Sequence, residues 1–181
     1  MEVRDQGSIG SIAAGGFRIG PAEGRATRMP GARLVTRKVG SDRTGGAYSL
    51  FEVTVGVEGG EGPHVQHRED ECFYVLEGRF EFLHEDVRIE ADQGSLVYVP
   101  KGNMHAFENA GETTGKLLVS QTPGGAYEGF VDEVGEASTG EGRLQATAGS
   151  PNNAEKLAAV GALYGVETVP PLPQRKPWRA R

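Results

Sequence analysis

The sequence predicts an all-β fold, a sandwich or barrel of antiparallel strands, followed by a short C-terminal helical segment. Two observations support this prediction: short runs of β-forming residues recur at close spacing, and glycine and proline separate them. Glycine accounts for 28 of the 181 residues, about twice its usual share, which is typical of many tight turns. Because no helical pattern intervenes between the strands, a parallel βαβ sheet is disfavoured.

Length and charge narrow the class of protein. A chain of 181 residues corresponds to one domain. Its net charge of −6 disfavours nucleic acid or an anionic membrane surface as a partner, because both carry negative charge. The sequence has neither a long apolar run nor a signal-peptide pattern, so we expect a cytoplasmic protein. Cys72 is the only cysteine and lies in an apolar run, where we expect a packed side chain rather than a nucleophile.

We expect three segments within this one domain. Residues 1–31, with seven glycines and weak periodicity, form a flexible N-terminal arm. Residues 32–123 form the barrel core, and residues 124–181 form a C-terminal helical extension and tail. In the extension, apolar spacing predicts helices over residues 125–134 and 154–164.

The strands of the core follow one another with short turns between them. The predicted strands cover residues 33–39, 47–57, 71–76, 79–84, 87–90, 95–99, 105–108 and 116–121. In the second of these, Phe51, Val53, Val55 and Val57 share one face, and this alternation is typical of a strand with one buried side. Residues 59–63 are predicted to form a turn.

A group of polar residues in the core suits metal binding. Side chains two apart in a strand share a face, so His64 and Gln66 point the same way and His67 points the opposite way. If the faces of Glu71 and His105 also turn inward, these side chains converge with His64 and Gln66. Imidazole nitrogens with one carboxylate suit a divalent ion such as Fe, Mn, Ni, Co or Zn.

The role of Gln66 has two interpretations. Its amide oxygen can serve as a fourth, weaker metal ligand, or the side chain can stay off the metal and hydrogen-bond a substrate or water. Without it, His64, Glu71 and His105 still form a set of two histidines and one carboxylate that leaves positions open for dioxygen or substrate.

The residues around these candidates extend the predicted site. Phe73 shares a face with Glu71, and Phe107 shares a face with His105, so we expect both rings to line the same cavity and contact the substrate. By contrast, we interpret residues 68–70, Arg-Glu-Asp, as a solvated rim.

The spacing of these residues resembles the two motifs of the cupin superfamily. The first motif comprises His64, position 66, Glu71 and Gly78, and the second comprises Gly94, Pro100, Gly102, His105 and Asn109. In that family three histidines and one glutamate bind a single metal, and Gln66 stands where the second histidine is expected. The chain is most similar to single-domain cupins described as quercetin-dioxygenase-like, over about residues 30–170.

This resemblance implies a jelly-roll barrel that binds one divalent metal ion and forms a homodimer. It further implies a metal-dependent dioxygenase that acts on an enolic or phenolic aromatic small molecule, with Glu71 as both metal ligand and general base. Two alternatives remain open. One is a non-oxidative isomerase, cyclase or decarboxylase in which the metal acts as a Lewis acid, and the other is a small-molecule-binding protein without turnover.

Overall fold

The structure, a computed structural model, describes residues 10–11, 16–21, 23–138, 144 and 151–170. Within these ranges the chain forms antiparallel β-sheets accompanied by three helices. The all-β prediction with C-terminal helices is therefore confirmed.

Two large sheets build the domain. The seven-stranded sheet contains, in spatial order, β10 (Leu96–Val99), β7 (Asp70–Glu77), β12 (Gly115–Thr122), β5 (Ser49–Val55), β4 (Arg33–Val39), β3 (Arg25–Met29) and β13 (Glu136–Ala137). The five-stranded sheet contains β14 (Val166–Thr168), β6 (Gly60–Gln66), β11 (Met104–Asn109), β8 (Arg79–His84) and β9 (Val87–Asp92). A separate short pair joins β1 (Gly10–Ser11) to β2 (Phe17–Arg18). From β5 to β12 the chain passes repeatedly from one large sheet to the other, as in a jelly roll.

The hydrophobic core lies between the facing sides of the two sheets. Phe51, Val53 and Val55 on β5 are at most 3% exposed, as their alternation predicted, whereas Val57 lies beyond the strand and is exposed. An aromatic cluster fills the centre: the Phe73 ring lies 5.3 Å from that of Phe82. Buried apolar area is the main favourable term in folding, so this face holds the two sheets together.

Two predicted boundaries are wrong. Residues 60–66, placed partly in a turn, form the continuous strand β6, because their backbone pairs with β11 on one side and β14 on the other. Residues 25–29, placed in the flexible arm, form β3 in the large sheet, where Thr27 and Met29 are buried against the core. In both places tertiary pairing outweighs the turn-forming composition.

Three helices accompany the sheets in the described ranges. Between β4 and β5 the turn cluster contains a short helix, α1 (Ser41–Thr44). The predicted helices are present as α2 (Ala126–Val134) and α3 (Pro151–Tyr164), and Gly165 ends α3 with a left-handed backbone, φ +76°. No helix in the described ranges is both long enough and apolar enough to span a membrane.

Candidate metal centre

Three of the predicted ligands meet inside the barrel. His64 comes from β6, Glu71 from β7 and His105 from β11, and one ligand atom from each lies within 4.8 Å of the others. Glu71 Oε2 is 2.6 Å from His105 Nε2 and 3.9 Å from His64 Nε2. All three side chains are buried. The structure thus joins residues that lie up to 41 positions apart in the sequence.

The pairing of β6 with β11 shifts its register next to His64 and His105. His64 pairs with His105 across the sheet, and Glu61 pairs with Phe107, so three steps on β6 match two on β11. Such an extra residue is a β-bulge, which re-aims side chains and is frequent beside functional sites. The carbonyl of Gly62, inside this shifted segment, lies 2.9 Å from His64 Nδ1.

Both imidazole rings are oriented by backbone carbonyls. His64 Nδ1 faces the Gly62 carbonyl at 2.9 Å, and His105 Nδ1 faces the Asn103 carbonyl at 3.3 Å. Because a carbonyl can only accept, each Nδ1 carries the proton and donates it. In a neutral ring the lone pair is then on Nε2, which turns toward Glu71 in both rings. Burial lowers the pKa of His105, but Glu71 outweighs burial and raises that pKa, so without a metal ion a proton lies between His105 Nε2 and Glu71 Oε2. This arrangement is typical of histidines that bind metals through Nε2.

Glu71 is held by the neighbouring strand. Gln121 on β12 donates from Nε2 to Glu71 Oε1 at 2.6 Å, and this leaves Oε2 facing the histidines. Burial alone would raise the pKa of Glu71, but the facing His105 outweighs burial and lowers that pKa. Burial and the charge of His105 both lower the pKa of His64. The centre therefore favours an ionised carboxylate beside a neutral His64 imidazole.

Gln66 lies on the inner face of β6, two positions from His64, as predicted. Its side chain is 1% exposed, and neither atom of its amide has a hydrogen-bond partner among the described residues. Its backbone is fixed on both sides: Gly102 donates to its carbonyl at 2.7 Å, and Val166 pairs with it across the sheet. His67 points outward, and its Nε2 lies 2.8 Å from Glu167 Oε2 at the surface.

The unpartnered atoms of this centre fit a metal ion. Within the described ranges, six buried side-chain atoms lack a hydrogen-bond partner other than one another, and all belong to this set of residues: His64 Nε2, Gln66 Nε2, Gln66 Oε1, Glu71 Oε2, His105 Nε2 and Gln121 Oε1. Two of these atoms, His105 Nε2 and Glu71 Oε2, face each other at 2.6 Å. Buried polar atoms are normally satisfied, so such a concentration needs an explanation. Two imidazole nitrogens and a carboxylate oxygen are suitable donors for a divalent transition metal, with the Gln66 oxygen as an optional fourth.

Phe73 and Phe107 occupy different places relative to the centre. The Phe73 ring lies 5.8 Å from the His105 ring and so borders the ligand set. The Phe107 ring lies 5.7 Å from Phe73 and belongs to the aromatic core behind it. Substrate contact remains a prediction for both residues, and Phe73 is the better placed.

One residue of the predicted solvated rim is buried instead. Glu69 is 1% exposed and accepts hydrogen bonds from the backbone amides of Ala126 (2.7 Å) and Tyr127 (2.8 Å) at the start of α2. Burial raises the pKa of Glu69 to about 7, although the two amides act in the opposite direction. The prediction fails at Glu69 because α2, distant in sequence, folds over this position. Arg68 is exposed as expected.

Sequence reasoning also missed a second buried polar cluster, made of Arg33, Glu61 and Tyr127. The Arg33 guanidinium forms a buried ion pair with Glu61 and donates to the Tyr127 hydroxyl at 3.3 Å. Tyr127 in turn donates to Glu61 at 3.4 Å. The charge of Glu61 partly offsets the lowering of the His64 pKa by burial, and it adds to the effect of Glu71, which raises the pKa of His105.

Gln121 was missed as well, although its sequence position carries a signal. It follows Leu117 and Val119 at period two, which predicts an inward glutamine on a buried face. The single cysteine, Cys72, lies on the strand position next to Glu71 and therefore faces away from the centre. Burial raises the pKa of the Cys72 thiol, which disfavours the reactive thiolate.

Comparison with known proteins places residues 51–120 in a family model described as a cupin domain. An uncharacterized protein of Methanocaldococcus jannaschii is 30% identical over 80 residues, which cover 44% of this chain and 64% of that protein. The match therefore spans less than two thirds of this relative. An uncharacterized protein of Streptomyces coelicolor is 30% identical over 77 residues, which cover 42% of this chain and 70% of that protein.

Solved structures share the fold at lower identity. KdgF from a Halomonas species superposes with a TM-score of 0.54 at 18% identity, covering 60% of this chain and 94% of that chain. The polyketide cyclase RemF from Streptomyces resistomycificus superposes with a TM-score of 0.51 at 23% identity, covering 58% of this chain and 78% of that chain. A putative ethanolamine utilization protein from Salmonella typhimurium superposes with a TM-score of 0.55 at 21% identity. The match covers 65% of this chain and 94% of that chain. At these identities the likeness concerns the fold alone.

Proposed function

The chain belongs to the cupin family, and we propose that it is a metal-dependent dioxygenase, similar to quercetin dioxygenases, for an enolic or phenolic aromatic small molecule. One observation carries this proposal: two buried histidines and one buried carboxylate bring one ligand atom each to within 4.8 Å of one another. Two histidines and a carboxylate with open positions form the ligand set typical of non-haem Fe(II) oxygenases.

Each residue of the site has a separate proposed role in metal binding. His64 and His105 would hold the ion through Nε2, since their Nδ1 atoms are engaged by backbone carbonyls. Glu71 would hold it through Oε2 while Gln121 restrains Oε1. When bound, the ion supplies positive charge that stabilises an enolate and, if it is redox-active, a site for reaction with dioxygen.

Glu71 is also the proposed general base. Its Oε2 is the carboxylate oxygen that Gln121 does not hold, so it could take the hydroxyl proton of an enol or phenol that enters the site. The same oxygen is a proposed ligand, so Glu71 would act as a base only where Oε2 is free to accept the proton. Burial of the whole set keeps bulk water from competing for that proton.

The test combines metal analysis with oxygen uptake. The purified protein is analysed for metal content as isolated and after anaerobic loading with Fe²⁺, Mn²⁺, Ni²⁺, Co²⁺ or Zn²⁺. Oxygen consumption is then followed with a panel of flavonols and other enolic aromatics. The variant Glu71→Gln keeps the shape of the side chain but removes the base, and we expect turnover to fall by at least about 100-fold. The exposed His67→Ala serves as the matched histidine control.

Each outcome has a distinct meaning. One metal ion per chain with substrate-dependent oxygen uptake, lost in Glu71→Gln and kept in His67→Ala, supports the proposal. Product formation without oxygen would replace it with an isomerase, cyclase or decarboxylase. Ligand binding without any product would indicate a binding protein, and failure to retain any of the ions would refute the metal centre itself.

A further inference from the structure

The seven-stranded sheet carries an apolar surface on its outer side, which faces away from the core and the metal centre. We propose that this surface is the contact between two copies of this chain. Its side chains, called here the outer patch, are Cys72, Tyr74, Leu96, Tyr98 and Leu118. The inference is independent of the proposed function, because it involves neither the metal ligands nor a substrate.

Strand register makes the outer patch continuous. Leu96 on β10 lies opposite Tyr74 on β7, and Tyr74 in turn lies opposite Leu118 on β12. In the next row, Tyr98 on β10 lies opposite Cys72 on β7. Directly opposite residues of an antiparallel pair share a face and contact each other. The five side chains therefore form one surface rather than scattered apolar points.

The exposure of the outer patch is unusual for a sheet that faces water. Leu96 is 60% exposed, Tyr98 is 53% exposed and Tyr74 is 41% exposed. They alternate with Val97 and Phe73, which are buried in the core, so they point outward. The solvated face of an antiparallel sheet normally carries polar residues. A contiguous apolar patch in that place is typical of an interaction surface.

The outer side of the five-stranded sheet follows the ordinary polar pattern. Glu81 on β8 forms an ion pair with Arg88 on β9, and Glu90 lies opposite Glu81. Both sheets belong to the same domain and alternate in the same way. The apolar outer face is therefore a feature of one sheet and not a general consequence of the composition of the chain.

The charges in and around the outer patch favour a second copy of the chain as its partner. None of its five side chains is charged at neutral pH. At its border, Asp70 accepts from the backbone amide of Lys101 at 2.9 Å, and the Lys116 ammonium lies 3.8 Å from the Glu77 carboxylate. Each chain has a net charge of −6, and an uncharged surface can face its own copy without local repulsion.

The segments outside the described ranges begin at a distance from the outer patch. Ser138 follows β13, which lies at the opposite edge of the sheet from β10. Pro170 follows β14, which belongs to the other sheet. Near the start of the chain, Gly20 accepts from Lys38 on β4, which lies four strands from β10. These positions favour a second copy over the chain's own ends as the cover of the patch.

The size of the face is sufficient for a weak dimer. Strands about 4.8 Å apart with about 3.3 Å per residue give β10, β7, β12 and β5 together a projected area of about 400 Å². Two such faces would bury about 800–1,000 Å² once the relief of the side chains is counted, which is the lower end for a specific interface. We therefore expect a dimer that dissociates on dilution.

Sedimentation equilibrium of the full chain between about 1 and 100 µM tests the proposal. Leu96→Glu and Tyr74→Glu each place a carboxylate in the contact at an outward position. Leu163→Glu on α3 is the matched control, because Leu163 is 63% exposed and lies outside the outer patch. Circular dichroism and urea denaturation verify that each variant is folded.

We expect the wild type to be a dimer at the upper concentrations. Leu96→Glu and Tyr74→Glu should each raise the dimer Kd by at least about 100-fold, because every dimer would bury two unpaired carboxylates. Leu163→Glu should leave the Kd unchanged. The single thiol gives a second readout without any substitution: Cys72 of the wild type should react more slowly with an aromatic disulfide reagent as the protein concentration rises.

The outcomes divide clearly. Weaker dimers in both patch variants, together with concentration-dependent protection of Cys72, would support the proposal. A wild type that stays monomeric over the whole range would overturn it, and so would a dimer that survives both substitutions or is broken equally by Leu163→Glu. A Cys72 thiol that is protected equally at every concentration would indicate cover by the chain itself and would overturn it as well.

Discussion

Replacing Glu69 by alanine should destabilise the protein through the start of α2 (Ala126–Val134). Glu69 is buried and accepts from the amides of Ala126 at 2.7 Å and Tyr127 at 2.8 Å. Glu69→Ala leaves both N–H groups buried without an acceptor, and each such group costs about 1–3 kcal/mol. Part of this cost is recovered because the buried carboxylate is no longer desolvated. We therefore expect a net loss of about 2–4 kcal/mol.

Urea denaturation of metal-free protein measures this loss and separates it from any effect on metal binding. Glu69→Gln keeps one acceptor oxygen and should lose about half as much. Glu112→Ala, in an exposed turn, is the control for removing a surface carboxylate. Hydrogen exchange should also accelerate at the amides of residues 126 and 127. If Glu69→Ala lies within about 0.5 kcal/mol of the wild type, the assignment of Glu69 as the cap of α2 is wrong.

Three further predictions concern other contacts. Gln121→Met should weaken zinc binding by about 10–100-fold in a chelator competition, because it frees the carboxylate that Gln121 holds; unchanged affinity would exclude this restraint. Gly129→Ala should loosen α3, since the added methyl would collide with the ring of Tyr164, and faster proteolysis between α2 and α3 would reveal it; a protease-resistant variant would contradict this packing. Arg33→Leu should lower the free energy of unfolding by about 3–5 kcal/mol, because it leaves the Glu61 carboxylate buried without its cation. Combining Arg33→Leu with Glu61→Leu should recover part of this loss. A double variant no more stable than the single variant would argue against this explanation.

Residues whose environment follows from local alternation could be predicted from the sequence. On β5, Phe51 and Val53 alternate with polar residues and are buried as expected. The same rule placed His64 and Gln66 on one inner face and His67 outside. Two-residue periodicity is a property of any extended chain, so it requires no knowledge of which strands pair.

Residues whose environment depends on pairing could not be predicted in this way. Glu61 faces inward only because the register between β6 and β11 shifts by one residue, and an alternation rule would place it opposite His64. Glu69 is buried because a helix more than fifty positions later begins above it. Arg33 lies at the start of a predicted strand, but its burial depends on the Glu61 carboxylate, which is supplied by another strand.

The concentration of unpartnered atoms bears on whether this centre works or is a remnant. Each buried polar group without a partner costs about 1–3 kcal/mol, whereas a domain is stabilised by only about 5–15 kcal/mol in total. A proton shared between Glu71 Oε2 and His105 Nε2, at 2.6 Å, relieves two of the six atoms. The other four, on His64, Gln66 and Gln121, remain unsatisfied within the described ranges. An occupant that satisfies these atoms would remove this cost. A metal ion would satisfy His64 Nε2 and could also take Gln66 Oε1 as a fourth ligand, so metal binding by itself would relieve part of this cost.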